Sequence, residues 1–92
     1  MFILESKVER EVVKWWEGRG GMQIKLNLMG RRGYPDRLFL KERGCPIFIE
    51  FKREGKEVRP LQNYMHNRLR KLGYEVYVCY ESSTAKAILA RP

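Results

Sequence analysis

The spacing of apolar and polar residues predicts the first two elements of the chain. From Glu5 to Glu17 apolar residues recur at the period of an amphipathic helix, and the glycine-rich segment from Gly18 to Gly21 ends that pattern. A half-buried strand is predicted next, because apolar residues alternate with polar ones at Met22, Ile24, Leu26 and Leu28.

Residues 37–40 and 47–52 predict two further strands, joined by a hairpin connection over residues 41–46. Side chains alternate between the two faces of a strand. The residues of the second run that point to one face are Ile47, Ile49 and Phe51. Those on the opposite face are Phe48, Glu50 and Lys52, so two opposite charges share one face of this strand.

A second helix is predicted to begin at Pro60, which suits a first helical turn, and to end at Gly73. Its apolar stripe is Leu61, Met65, Leu69 and Leu72. A fourth strand follows at residues 76–80, and Ser82 or Ser83 can cap a last short helix that runs to Leu89.

The elements therefore follow the order αβββαβα, which predicts an α/β fold with a central mixed sheet flanked by helices. The third and fourth strands are joined through a helix, so we expect them to be parallel with a right-handed crossover. With 92 residues, the whole range 1–92 is expected to form a single domain.

Charge indicates the kind of partner. The chain has 19 Lys and Arg against 11 Asp and Glu, a net charge of +8, as is typical of a protein that binds a polyanion. No apolar run approaches the ~20 residues of a membrane span, and no secretory signal is visible, so we expect a protein of the cytoplasm without a membrane partner. Cys45 and Cys79 stand far apart with a single histidine in the chain, which favours neither a zinc site nor a disulfide.

Two carboxylates are expected to meet at one end of the sheet. Asp36 precedes one strand and Glu50 lies near the end of the next, so antiparallel pairing brings them together. Carboxylates are the ligands that Mg²⁺ prefers, and the carbonyl of Phe51 is a further candidate ligand. Lys52 lies on the same face as Glu50 and can stabilise charge on a phosphate. The alternative is an ordinary ion pair between Glu50 and Lys52.

The motifs resemble those of one nuclease family. The segments Gly-Arg-Arg-Gly-Tyr-Pro-Asp at 30–36, Phe-Ile-Glu-Phe-Lys at 48–52 and Arg-Pro-Leu-Gln at 59–62 are similar to the virus-type replication-repair nuclease (VRR-NUC) domain. That family belongs to the restriction-endonuclease-like PD-(D/E)xK superfamily and is related to Holliday junction resolvases. The resemblance covers nearly the whole chain and implies a metal-dependent nuclease with that fold.

The resemblance also implies roles for single residues. Asp36 and Glu50 correspond to metal ligands, Lys52 to the catalytic lysine, and Gln62 to a glutamine that orients a water or a phosphate. The first helix normally supplies a further acid, for which both Glu5 and Glu9 are available. Glu9 is preferred as a further catalytic residue and metal ligand.

Outside these motifs, three basic residues near the expected cleft are candidate phosphate contacts, namely Lys25, Arg31 and Arg32. His66, one helical turn after Gln62, is interpreted as a half-buried surface residue, although contact with DNA is an alternative.

Together these features lead to the hypothesis of an endonuclease that uses Mg²⁺ or Mn²⁺, with no small-molecule cofactor, to hydrolyse branched DNA such as four-way junctions or flaps. Replication or repair in a phage or prophage would suit so small a protein. Symmetric cutting of two strands would require a homodimer, with an interface on the first or the second helix. The alternatives are a non-catalytic module that binds nucleic acid and an accessory factor that binds an acidic protein.

Overall fold

The computed structural model of the protein describes residues 4–26 and 32–92, and its helices and strands follow the predicted order. The elements are α1 (Glu5–Gly18), β1 (Met22–Lys25), β2 (Arg37–Leu40), β3 (Ile47–Phe51), α2 (Pro60–Lys71), β4 (Glu75–Cys79) and α3 (Ser82–Leu89). Within the described ranges, no helix is long and apolar enough to cross a membrane.

The four strands form one mixed sheet in the order β1-β2-β3-β4. β2 pairs antiparallel with both β1 and β3. β3 and β4 are parallel and are connected through α2. The predicted α/β class, the mixed sheet and the parallel pair are therefore confirmed.

One face of the sheet is covered by α1 and α3, which also contact each other. Phe39 lies opposite Ile47 across the β2–β3 pairing, and Ile49 follows on the same face of β3. These side chains are buried against Val12 of α1 and Leu89 of α3, together with the remaining core residues. This apolar core fixes β3, and by alternation it turns the side chains between the core residues towards the opposite face.

α2 buries polar residues where the sequence predicts an apolar stripe. Its buried residues are Gln62 and His66. Leu61 and Leu72, by contrast, are 46% and 71% exposed. The expectation that these leucines form the buried face is wrong, because α2 turns its polar side chains towards Glu50 on the sheet.

β1 is also more exposed than its sequence predicts. Met22 and Ile24 are exposed, and they pair with Leu40 and Leu38, on the face of the sheet away from Phe39. Helices α1 and α3 cover only the Phe39 face, so the prediction of a half-buried apolar face on β1 is wrong for these two residues. The predicted end of the strand at residues 27 and 28 lies outside the described residues.

The predicted helix ends are found with one difference. Pro60 is the first residue of α2, and Gly73 after its end has a φ of 98°. A left-handed residue at that position lets the chain turn, while the Tyr74 amide donates to the Leu69 carbonyl at 3.1 Å. In α3 Ser82 is the first helical residue and Glu81 is the N-cap, without a side-chain capping bond, so neither serine caps the helix.

Candidate active site

The β2–β3 hairpin brings Asp36 and Glu50 to the same end of the sheet. Arg37 pairs with Ile49, so Asp36 lies beside Glu50 one position further along the antiparallel register. The backbone amide of Phe51 donates a hydrogen bond to Asp36 Oδ2 at 2.8 Å. This bond fixes the Asp36 carboxylate next to the strand that carries Glu50.

Burial and like charge make the ionisation of Asp36 unfavourable. The pKa of Asp36 is raised from 3.8 to about 6. Burial is the largest cause of this rise, and repulsion from Glu50 is the second largest. The hydrogen bond from the Phe51 amide opposes this rise, while repulsion from Glu9 and then from Glu5 adds to it. Several acids therefore share one small region, and a cation there would relieve their repulsion.

Glu50 is almost completely buried, with 3% of its surface exposed. Gln62 Nε2 donates to Glu50 Oε2 at 3.1 Å, and Gln62 Oε1 accepts a bond from the Arg59 amide at 3.0 Å. The second carboxylate oxygen, Oε1, has no hydrogen-bond partner. A buried oxygen of this kind is available as a ligand.

His66 lies closer to this carboxylate than the sequence suggests. It is 1% exposed, and its Nε2 is 3.8 Å from Glu50 Oε1. The interpretation of His66 as a half-buried surface residue is therefore wrong. Its spacing of four residues from Gln62 was the available signal, because residues four apart share one face of a helix.

Lys52 continues the strand that carries Glu50. Its amide donates to the Cys79 carbonyl at 3.0 Å, which extends the pairing of β3 with β4 past Phe51. Its side chain lines the same cleft as Glu50 and is buried, with 4% of the residue exposed. An ammonium group in that position can act on a phosphate that enters the cleft.

The two acids of α1 both reach the cleft, but each already has a partner. Glu9 Oε2 forms an ion pair with Arg37 Nε at 2.5 Å, and Arg37 Nη1 donates to Gln23 at 2.6 Å. Glu5 Oε2 accepts a hydrogen bond from the amide of Arg53 at 3.0 Å. Repulsion from Glu9 raises the pKa of Asp36 more than repulsion from Glu5 does.

These groups line a cleft of about 280 Å³ at one end of the sheet. Every described residue predicted as catalytic or as a metal ligand is part of its wall. The lining residues are Glu5, Ser6, Glu9, Asp36, Glu50, Phe51, Lys52, Lys56, Arg59 and Gln62.

The basic residues at the cleft differ from the predicted phosphate contacts. Lys25 and Arg32 are exposed but do not line the cleft, and Arg31 lies outside the described residues. Lys56 and Arg59, on the connection between β3 and α2, line it instead. Their position in the sequence, between Lys52 and Gln62, was the signal that could have identified them.

The donor atoms fit a hard divalent cation. Among the described residues, no three His, Cys, Asp or Glu side chains lie close enough together to form a metal cluster. The candidate ligands among the residues that line the cleft are instead oxygen donors, namely the carboxylates of Asp36 and Glu50 and, as the sequence suggests, the carbonyl of Phe51. The unpartnered Glu50 Oε1 and the raised pKa of Asp36 are both properties that a bound cation would compensate.

Known proteins resemble this chain in both sequence and structure. The chain is 40% identical over 76 residues to a protein named "Putative nuclease p44" from Acyrthosiphon pisum secondary endosymbiont phage 1. This alignment covers 83% of this chain and 82% of that protein. A solved structure described as a VRR_NUC domain has a TM-score of 0.81 and 33% identity and covers 91% of each chain. No protein-family model matches the chain.

Proposed function

Because this chain belongs to the VRR-NUC nuclease family, we propose that it is a Mg²⁺- or Mn²⁺-dependent endonuclease that hydrolyses phosphodiesters in DNA. The observation that carries the proposal is the cleft in which Asp36, Glu50 and Lys52 meet. Two carboxylates with a lysine at their side are suited to metal-assisted phosphodiester hydrolysis.

In this proposal Asp36, Glu50 and the Phe51 carbonyl hold the cation, and Glu9 is the further acid. A divalent cation bound there would supply charge neutralisation and a lowered pKa for a water ligand. The raised pKa of Asp36 supports the assignment, because a carboxylate surrounded by other acids gains most from a nearby positive charge.

Lys52 and Gln62 have distinct proposed roles. The Lys52 ammonium stabilises negative charge that develops on the phosphate during in-line attack, and the buried environment strengthens this interaction. Gln62 is proposed to hold the Glu50 carboxylate, since its Nε2 donates to Oε2. The water or phosphate contact implied by the family resemblance remains a second proposed role for Gln62.

DNA would reach the cleft through basic residues at its wall. Lys56 and Arg59 are exposed and lie beside the acids, so they can contact phosphates on either side of the bond that is cut. We add them to Lys25, Arg31 and Arg32 as proposed phosphate contacts. The net charge of +8 would steer DNA towards the whole protein.

Branched DNA is the proposed substrate, and a homodimer the proposed active form. Related resolvases cut four-way junctions, and two facing sites are needed to cut two strands symmetrically. Large exposed apolar side chains for an interface lie on α2 and β1, where they include Leu61, Tyr64, Met22 and Ile24. Residues 1–92 are proposed to act as one domain in phage or prophage replication or repair, in the cytoplasm of a bacterial host. The phage source of the relative supports only the phage context of this proposal.

The test is a cleavage assay with labelled four-way junction, flap and linear duplex DNA in Mg²⁺, in Mn²⁺ and in EDTA. We expect metal-dependent cutting of the branched substrates that is lost in EDTA and in the Asp36→Asn variant. Cutting of linear duplex with equal efficiency would contradict the preference for branched DNA. Metal-independent binding without any cutting would favour a non-catalytic binding module.

A further inference from the structure

Glu50 and His66 form a buried pair in which the two atoms that face each other both lack a hydrogen bond. Glu50 Oε1 and His66 Nε2 are 3.8 Å apart, and neither atom has a hydrogen bond. The distance exceeds the 2.7–3.2 Å or so of a hydrogen bond between nitrogen and oxygen. Both residues are almost completely buried, so solvent does not replace the missing bond.

The position of His66 on α2 matches that of Gln62. The two residues are four apart and therefore lie on one face of the helix, directed at the same carboxylate. Gln62 already holds Glu50 Oε2 through a hydrogen bond of 3.1 Å. His66 Nε2 faces the other oxygen, Oε1, at 3.8 Å.

We propose that His66 is a positioning residue, which donates a hydrogen bond from Nε2 to Glu50 Oε1 when the cleft holds a divalent cation. The inference rests on the proposed function, because it assigns the orientation of a proposed metal ligand. Gln62 and His66 together would then hold both oxygens of the Glu50 carboxylate in the metal-bound protein, which stabilises that state relative to the metal-free one. A neutral imidazole with its proton on Nε2 is sufficient for this bond.

Side chains that hydrogen-bond to metal ligands commonly change metal affinity by about 10- to 100-fold. Removing the His66 side chain should therefore weaken cation binding more than it destabilises the fold. The buried Nε2 has no partner in the metal-free protein, so replacing it with an apolar group removes no hydrogen bond from that atom.

The experiment compares His66→Met, which fills the site without a donor, with His66→Gln, whose amide nitrogen can lie near the position of Nε2. Free Mn²⁺ is measured by electron paramagnetic resonance at one fixed pH without DNA. We expect His66→Met to weaken Mn²⁺ binding about tenfold or more, and His66→Gln to stay within about threefold of the wild type. Asn63→Met, on an exposed position of the same helix, is the matched control and should bind Mn²⁺ normally.

Melting in EDTA separates positioning from a structural role. We expect His66→Met to melt within a few degrees of the wild type in EDTA but to gain less stability from added Mn²⁺. Unchanged Mn²⁺ affinity in His66→Met, or a loss in His66→Gln as large as that in His66→Met, would overturn the inference. If the wild type bound no Mn²⁺, or Glu50→Gln bound it equally well, the proposed metal site itself would be wrong.

Discussion

Replacing Asp36 with asparagine should stabilise the metal-free protein while abolishing its activity. The folded environment raises the pKa of this carboxyl from 3.8 to about 6, so its ionisation opposes folding at neutral pH. Asparagine retains an oxygen that can accept the bond from the Phe51 amide, and it carries no charge to be buried. The substitution thus removes the repulsion but also removes a proposed metal ligand.

The pKa shift sets the size of the effect. The rise in the pKa of Asp36 from 3.8 to about 6 corresponds to at most about 3 kcal/mol of the free energy of unfolding, at about 1.4 kcal/mol per pH unit. Asp36 is only partly buried and solvent screens part of the repulsion, so we expect Asp36→Asn to raise the free energy of unfolding by about 1–2 kcal/mol.

The dependence on pH provides a check on the sign. Well above pH 6 Asp36 is charged in the folded and unfolded states, and only the folded state bears the cost of the buried charge. Well below pH 3.8 it is protonated in both states, so most of the advantage of Asp36→Asn should already be lost at pH 3.5. Between these values the wild type should gain stability relative to the variant as the pH falls.

Urea denaturation in EDTA at pH 7.5 and pH 3.5 measures the gain in the free energy of unfolding in Asp36→Asn and the loss of that gain at low pH. Glu42→Gln, which removes one exposed acid outside the cleft, is the matched control and should show no comparable gain. Adding Mg²⁺ at pH 7.5 should stabilise the wild type and leave Asp36→Asn unchanged. An Asp36→Asn protein no more stable than the wild type at pH 7.5, or one whose advantage persists at pH 3.5, would refute this reasoning.

Three further predictions concern the α1 acid, the cleft wall and the core. Glu9→Gln should lower the single-turnover cleavage rate at limiting Mn²⁺ by about tenfold or more, because the charge of a proposed metal ligand is lost. Arg59→Ala should weaken DNA binding for all sequences and reduce the slope of log affinity against log salt by about 1, as measured by fluorescence anisotropy. Gly21→Ala should destabilise the protein by about 1–3 kcal/mol in urea denaturation, because its Cβ would lie 2.3 Å from the Trp16 ring.

Each of these predictions has a matched control. Glu5→Gln should leave cleavage within about threefold of the wild type, and a larger loss than in Glu9→Gln would assign the α1 acid to Glu5 instead. Lys71→Ala, at the far end of α2, should change the salt slope less than Arg59→Ala does. Gly18→Ala adds a Cβ with nothing within 4 Å, and a loss of stability equal to that of Gly21→Ala would contradict the steric explanation.

Much of the fold could be predicted from local patterns. Alternation along residues 47–51 identified β3, and the helix before β4 predicted the parallel pairing, because a parallel neighbour requires a crossover. The antiparallel pairing of β2 with β3 placed Asp36 beside Glu50, because a hairpin returns the chain to the end of the sheet where its first strand began.

The surroundings of Glu50 could not be predicted in the same way. Hydrophobic periodicity places Leu61 on the buried face of α2, whereas the structure buries Gln62 and His66. The face that α2 turns to the sheet depends on the buried carboxylate beneath it, which is a tertiary contact between distant segments. The inclusion of Arg59 in the cleft wall depends on the same placement of the helix.

The assignment of the active site is tested by the single-turnover rate at which the wild type and Glu50→Gln cleave a four-way junction in Mn²⁺. The glutamine retains an oxygen that can accept the bond from Gln62 but removes the charge proposed to hold the cation. We predict that Glu50→Gln binds the junction as tightly as the wild type and cuts it at least about a hundredfold more slowly. Cleavage by Glu50→Gln at the rate of the wild type would contradict the assignment of the active site to this cleft.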